Sequence, residues 1–228
     1  MTAVAETAVV LLSGGMDSAV CLAWALREGF RCVTLSFDYG QRHRLELASA
    51  QQVAEALGVP AADRRVVPLP RVFSGSALTG ELEVPLDRPE EAIGREIPPT
   101  YVPARNLVFL ALAAAVAEPL GARHLVIGVN ALDYSGYPDC RPEFLAAFER
   151  AARLGTRTEL SVHAPLVHRG KADIVRLGLA LGVPFDRTTS CYLGVRPACG
   201  RCDACRLRLK GFREAGVPDP IPYAVPVD

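Results

Sequence analysis

The sequence has no excess of charge. Lys plus Arg and Asp plus Glu both number 25, so the formal net charge is zero. That balance argues against the basic face of a nucleic-acid or membrane-surface binder and points to a small-molecule partner. Long apolar runs are also missing: the longest, Leu107 to Ala117, falls far short of the roughly 18 residues that span a bilayer. The start, Met1-Thr2-Ala3-Val4-Ala5-Glu6, lacks the basic end and apolar core of a secretory signal. A cytoplasmic protein is expected, with no membrane and no nucleic acid among its partners. Internal repeats and low-complexity tracts are absent, so the chain is not a repeat array. The seven cysteines are odd in number, and four crowd near the C-terminus. They do not read as a secreted disulfide framework, which leaves thiols or metal ligands.

No Lys or Arg occurs before Arg27, and this absence bears on the stretch around which the chain is organised. An apolar run, Ala8 to Leu12, leads into Ser13-Gly14-Gly15-Met16-Asp17-Ser18 and then into a helical pattern through Ala19-Val20-Cys21-Leu22 to Gly29. Consecutive glycines let the backbone approach a ligand and take positive φ. The first amides of the following helix lack intrahelical partners and carry the positive end of its dipole. Such a turn binds an anion, most often phosphate. The common nucleoside-triphosphate loop places a Lys directly after its last Gly; here there is none. A plain Gly-Gly turn capped by Asp17 or Ser18 is the alternative.

With half of its residues hydrophobic, the 228-residue chain can bury a large core, and it requires no more than one domain, 1–228. Strands are expected at Ala8–Leu12, Arg31–Phe37, Arg65–Val67, His124–Val129 and Leu160–His163. Helices are expected after the glycine loop and at Leu45–Leu57, Leu107–Leu120, Pro142–Leu154 and Lys171–Leu181. Strands alternating with helices imply an α/β, doubly wound, mostly parallel five-stranded sheet. Pro68 to Pro103 reads as a long functional loop.

Cys191, Cys199, Cys202 and Cys205 leave two residues in each of the later gaps, which lets thiolates on a knuckle turn converge on one ion. Four thiolates without His favour structural zinc, within a segment at 186–212; an iron–sulfur cluster or unligated thiols are the alternatives. After the fourth strand, the loop 130–141 carries Asp133, Tyr137, Asp139 and Arg141. That set suits a flat polar heterocycle, stacked on Tyr and hydrogen-bonded by Asp and Arg, or equally a solvated turn. Arg105, at the start of the apolar helix, could meet a substrate carboxylate. Lys171, at the start of another helix, could supply the charge the glycine loop lacks. Either could instead be a surface residue.

These pieces in this order resemble the 7-cyano-7-deazaguanine synthases, a family of the ATP pyrophosphatases. The matching stretches are Ser13-Gly14-Gly15-Met16-Asp17-Ser18, Phe37-Asp38-Tyr39-Gly40-Gln41-Arg42-His43, Val102-Pro103-Ala104-Arg105-Asn106, Gly128-Val129, Asp133 to Arg141, Lys171-Ala172-Asp173, and the four cysteines with Tyr192. Met16 stands where many relatives have Gln, and Ala104 where Gly is frequent. The resemblance implies an adenine nucleotide alpha hydrolase-like, Rossmann-like fold with a C-terminal zinc segment, and usually a homodimer. It implies conversion of 7-carboxy-7-deazaguanine, ATP and ammonia to the nitrile through an adenylated acid and an amide, in queuosine biosynthesis. Leu12 to Leu22 would bind ATP with Mg²⁺, which Asp17 would steer. Asp17, Ser18, Arg105 and Lys171 would be catalytic, and Arg42, His43, Arg105, Asp133, Tyr137, Asp139 and Arg141 would bind the substrate. Rivals are a tRNA-thiolating pyrophosphatase, which would want a basic face, an amidotransferase, which would want a glutaminase region, and a defence-system paralogue. The tail from Val217 to Asp228 carries no assignment.

Overall fold

β1 (Thr7–Leu11) is the centre of the sheet, and its residues 8–11 are buried. A computed structural model describes residues 5–41, 45–70, 72–80, 82–89, 93, 97–131 and 137–226. Among these, β1 joins β2 (Arg31–Asp38), β3 (Arg64–Pro68), β4 (His124–Val126) and β5 (Ser161–His163) in one all-parallel sheet of order β3-β2-β1-β4-β5. Val9 pairs with Val33 on one side and Leu125 on the other.

Alternation along β1 feeds two cores, because successive side chains point to opposite faces. Ala8, Val10 and Leu12 pack with α1 (Met16–Arg27), α2 (Leu45–Ala56), α5 (Lys171–Ala180) and Phe212 of α6 (Asp203–Ala215). Val9 and Leu11 pack with α3 (Arg105–Leu120) and α4 (Pro142–Gly155). The sheet is therefore doubly wound as expected. The chain reverses direction across it between β1 and β4, the place where such sheets bind ligands. No helix among the described residues is long and apolar enough to cross a membrane.

Three features depart from the sequence expectation. β4 ends at Val126, and the chain from Gly128 bends over the start of α1. α6 is not announced by hydropathy, because its few apolar residues are diluted by Arg and Lys and two cysteines occupy its cap and first turn. Within 68–103, expected as a long functional loop, residues 86–88 are tied to the cysteine segment. Leu86 makes an antiparallel bridge with Cys202, the Asp87 amide donates to the Arg201 carbonyl at 2.9 Å, and Arg88 pairs with Asp203 at 2.7 Å.

Ala104 precedes α3 with φ 56°, in the left-handed region that costs a residue with a Cβ roughly 1–2 kcal/mol. Glycine removes that strain and loses some of the gain to its freer unfolded chain. Ala104→Gly is expected to stabilise the protein by about 0.5–1 kcal/mol, a rise of roughly 1–4 °C in Tm for a chain of this size, measured by thermal unfolding. A fall in Tm would show that the turn is relaxed.

Candidate active site and metal centre

The glycine loop is shaped by two close approaches. Gly14 has φ 87°, and a Cβ there would sit 2.2 Å from the Glu46 carbonyl oxygen. A Cβ on Gly128 would lie 3.0 Å from the Ser18 amide nitrogen. α2 and the segment after β4 thus press on the loop from both sides. Gly15 is the N-cap of α1, and no side chain caps the helix; this corrects the reading of Asp17 or Ser18 as a cap. The Ser13 amide donates to Ser18 Oγ at 3.2 Å, the Gly15 amide to Ser13 Oγ at 3.3 Å, and the two hydroxyls are 3.0 Å apart. The serines brace the turn, and the first amides of α1 have no helical partners.

The loop opens on a cavity of about 240 Å³ at the carboxyl ends of β1 and β4. Leu12, Ser13, Gly15, Met16, Asp17 and Ser18 form one wall. From α5, the Lys171 Nζ donates to Asp17 Oδ2 at 2.7 Å and Oδ1 at 3.0 Å, with the Lys side chain only 8% exposed. α5 therefore delivers to the loop the cation that its own sequence lacks. Arg105 and Glu46 line the same space from α3 and α2. The Arg105 guanidinium is held charged by Tyr39, Tyr137 and Asp139 against the cost of its burial. Burial pushes the Glu46 carboxyl up to about 7, opposed by Arg105.

The four cysteines converge. Cys191, Cys199, Cys202 and Cys205 are buried, and their sulfurs lie within 4.8 Å of one another. Cys199 and Cys205 Sγ are 3.8 Å apart, which matches the edge of about 3.8 Å for a tetrahedron with metal–sulfur bonds of about 2.3 Å. The amides of Tyr192, Cys199, Arg201 and Cys202 each approach a cysteine sulfur at 3.4 Å. Such donors favour the thiolate that a metal requires. The donor set fits one tetrahedral ion.

The profile of the family described as "Queuosine biosynthesis protein QueC" matches residues 7–216. The chain belongs to that family. It is 56% identical over 229 residues to the 7-cyano-7-deazaguanine synthase of Geotalea daltonii, covering 96% of this chain and 97% of the relative. The proteins of that name from Anaeromyxobacter dehalogenans and Thermoplasma acidophilum are 57% and 53% identical, over 98% and 96% of this chain and 98% and 92% of their own lengths. Such synthases are carbon–nitrogen ligases, and this chain is an enzyme of that class. Among solved structures, the NMN synthetase of Francisella tularensis superposes with a TM-score of 0.53 at 16% identity, covering 94% of this chain and 79% of that one. That likeness concerns the fold.

Of the residues that the QueC resemblance singles out, Asp17, Ser18, Arg105 and Lys171 meet in the one cavity. Ala19, Val20, Cys21 and Leu22 lie beneath it in the core. Tyr137 and Asp139 stand behind Arg105. Tyr137 Oη is 3.2 Å from Thr100 Oγ1, and Asp139 Oδ2 accepts the Asn106 amide at 2.9 Å, capping α3 from a distance. Arg141 is exposed and does not line the cavity. Arg42, His43 and Asp133 lie outside the described residues.

Sequence reasoning passed over other lining groups. Thr189 binds the back of the loop through its amide to the Gly14 carbonyl at 2.9 Å. Arg208 lines the cavity 1% exposed, with its Nε 2.7 Å and Nη2 2.9 Å from the Asp219 carboxylate; its Nη1 donates to Thr188 Oγ1 at 2.6 Å. The unassigned tail thus supplies the counter-ion that lets a buried guanidinium hold the loop 188–190 against the glycine turn. Only the Arg at the eighth position of the 201–213 run, flanked by Leu207 and Leu209, hinted at a buried charge.

Proposed function

We propose that this enzyme converts 7-carboxy-7-deazaguanine and ammonia to 7-cyano-7-deazaguanine in an ATP-dependent reaction, by adenylating the acid, aminating it to the amide, and activating the amide a second time. The observation that carries this reading is the single cavity in which a lysine-free glycine loop, the Lys171–Asp17 pair and Arg105 face one another. The first amides of α1 and Lys171 hold the departing pyrophosphate, and Ser18 keeps the loop in shape. Arg105 holds the substrate carboxylate, backed by Tyr137 and Asp139. Arg42, His43, Asp133 and Arg141 remain the candidates for the heterocycle.

An amide oxygen is a poor leaving group until it is esterified to phosphorus, which is why a pyrophosphate-gripping loop suits this chemistry. Asp17 would steer Mg²⁺; one or two carboxylates with substrate phosphates suffice for that ion. Cys191, Cys199, Cys202 and Cys205 hold structural zinc, whose contribution is to fold the segment that closes the cavity. The chain acts as a single domain, as a cytoplasmic homodimer, on small molecules rather than nucleic acid.

One loop and two oxygens to remove make a firm expectation. Supplied with the free amide, the enzyme should form the nitrile with ATP and without ammonia, consuming one ATP per nitrile where the acid consumes two. Mass detection of products against nucleotide consumed checks this. Turnover of the acid with no use of supplied amide, even at high concentration, would rule out the two-activation scheme.

A further inference from the structure

We propose that Glu46 is the general base of the two nitrogen steps, taking the protons that the incoming nitrogen must lose. The proposal rests on the reaction just described. Ammonia enters with three hydrogens and the nitrile nitrogen keeps none, so the cavity must accept protons whatever the order of steps.

Among the described residues, few groups lining the cavity can do so. None of the described histidines lines it. The Asp17 carboxylate already holds Lys171 through both oxygens. Burial pushes the Cys140 thiol up to about 12 and raises Tyr39, so both keep their protons near neutrality. Glu46 differs in each respect. It stands in the first turn of α2, where its own carbonyl abuts Gly14, and it lines the cavity that Arg105 lines. No hydrogen bond or ion pair to another described residue holds its carboxylate. Among the described residues, the groups that act on it are Arg105, from α3, and Tyr39, just after β2. Burial lifts it to about 7 and Arg105 works against that lift, which places it where a base is effective at neutral pH.

The steps balance. Ammonia attacks the carbonyl carbon of the adenylated acid, and the C–O bond to phosphate breaks with its electron pair leaving on AMP. The surplus nitrogen proton passes to Glu46, which returns it to water. In the second round the amide oxygen displaces pyrophosphate from the α-phosphorus. The nitrogen then gives up its two remaining protons, one after the other, to Glu46 and through it to water, as the C–O bond breaks with its electron pair leaving on AMP and the nitrile forms. No oxidant or reductant is required.

The test uses Glu46→Gln in the full-length enzyme. Adenylation of the acid removes no nitrogen proton, so acid-dependent ATP–pyrophosphate exchange should stay within a few-fold of wild type. Hydroxylamine, a much weaker base than ammonia whose adduct can shed its surplus proton to water, should still trap the adenylate as hydroxamate. Nitrile formation from acid or amide should fall about 10²- to 10⁴-fold, the range for loss of a general base, and Glu46→Asp should restore part of it. In wild type, conversion of the amide should decline as pH falls through about 7, as the carboxylate protonates, while hydroxylamine trapping should not follow that decline. Wild-type nitrile rates in the Gln variant, equal loss of exchange and nitrile formation, or a wild-type amide profile flat across pH 5.5–8 would each overturn the proposal. Absence of acid-dependent exchange in wild type would instead overturn the reaction on which it rests.

Discussion

Lys171→Met is expected to lower acid-dependent ATP–pyrophosphate exchange by about 10²- to 10³-fold, the loss that follows removal of one preorganised electrostatic group. The chain has no Lys or Arg before Arg27, so the glycine loop brings no cation of its own. Lys171 meets Asp17 at 2.7 Å beside that loop and is buried at the start of α5. Met fills a similar volume against α6, where a Cβ on Gly211 would lie 2.8 Å from that of Lys171. Stability should fall less than for a fully buried broken pair, about 3–5 kcal/mol, because the Asp17 side chain keeps 21% of its exposure and can be hydrated. Asp17→Asn should impair exchange as well. The double variant should be little worse than the poorer single one, since groups acting as a unit are non-additive. Unchanged exchange with a lowered Tm would make the pair a strut between α1 and α5 rather than part of the phosphate site.

How much of this was legible in the sequence follows from the range of each interaction. Strands and helices alternate with apolar periods that are local, so β1 to β5 and five of the helices are readable within a few residues at their ends. The glycine loop and the four cysteines are readable because their chemistry is written in adjacent residues. Lys171 and Asp17 are 154 residues apart, yet the missing lysine in the loop made a distant one worth seeking.

The remainder is long-range and leaves no local mark. Asp219 is an ordinary acid in a Pro-rich tail until it meets Arg208, and together they fix the loop 188–190 under the cavity. Asp139 reads as a binder of a heterocycle in a loop rich in turn residues; that its carboxylate also accepts the first free amide of α3 leaves no local mark. Glu46 carries the charge preferred in any first turn of a helix. Only the packing of its carbonyl on Gly14 and its place in the cavity wall set it apart. The long segment 68–103 has little periodicity because Leu86, Asp87 and Arg88 find their partners in the cysteine segment.

Cys202→Ser is expected to remove the metal and unfold the C-terminal segment, with a fall in Tm of 10 °C or more, or loss of soluble protein, and no measurable turnover. Structural zinc contributes roughly 10–16 kcal/mol of apparent binding free energy in small zinc domains, as much as the whole stability of a typical protein, about 5–15 kcal/mol. Cys202 occupies a junction: it is the N-cap of α6, it bridges Leu86, and its sulfur accepts the Tyr192 amide at 3.4 Å. The loss reaches the active site because Thr189, Ser190, Tyr192, Ala204 and Arg208 all line the cavity. Cys32→Ala, at a buried thiol in β2 remote from the cluster, should keep the metal and serve as the control. Elemental analysis of the purified wild type should find one zinc per chain and no visible absorption; stoichiometric iron with a brown colour would replace the zinc assignment with a cluster. If Cys202→Ser kept its metal and its activity, the three remaining thiolates would suffice, and the segment's fold would have to rest on Arg208–Asp219 and the ion pairs to residues 87 and 88.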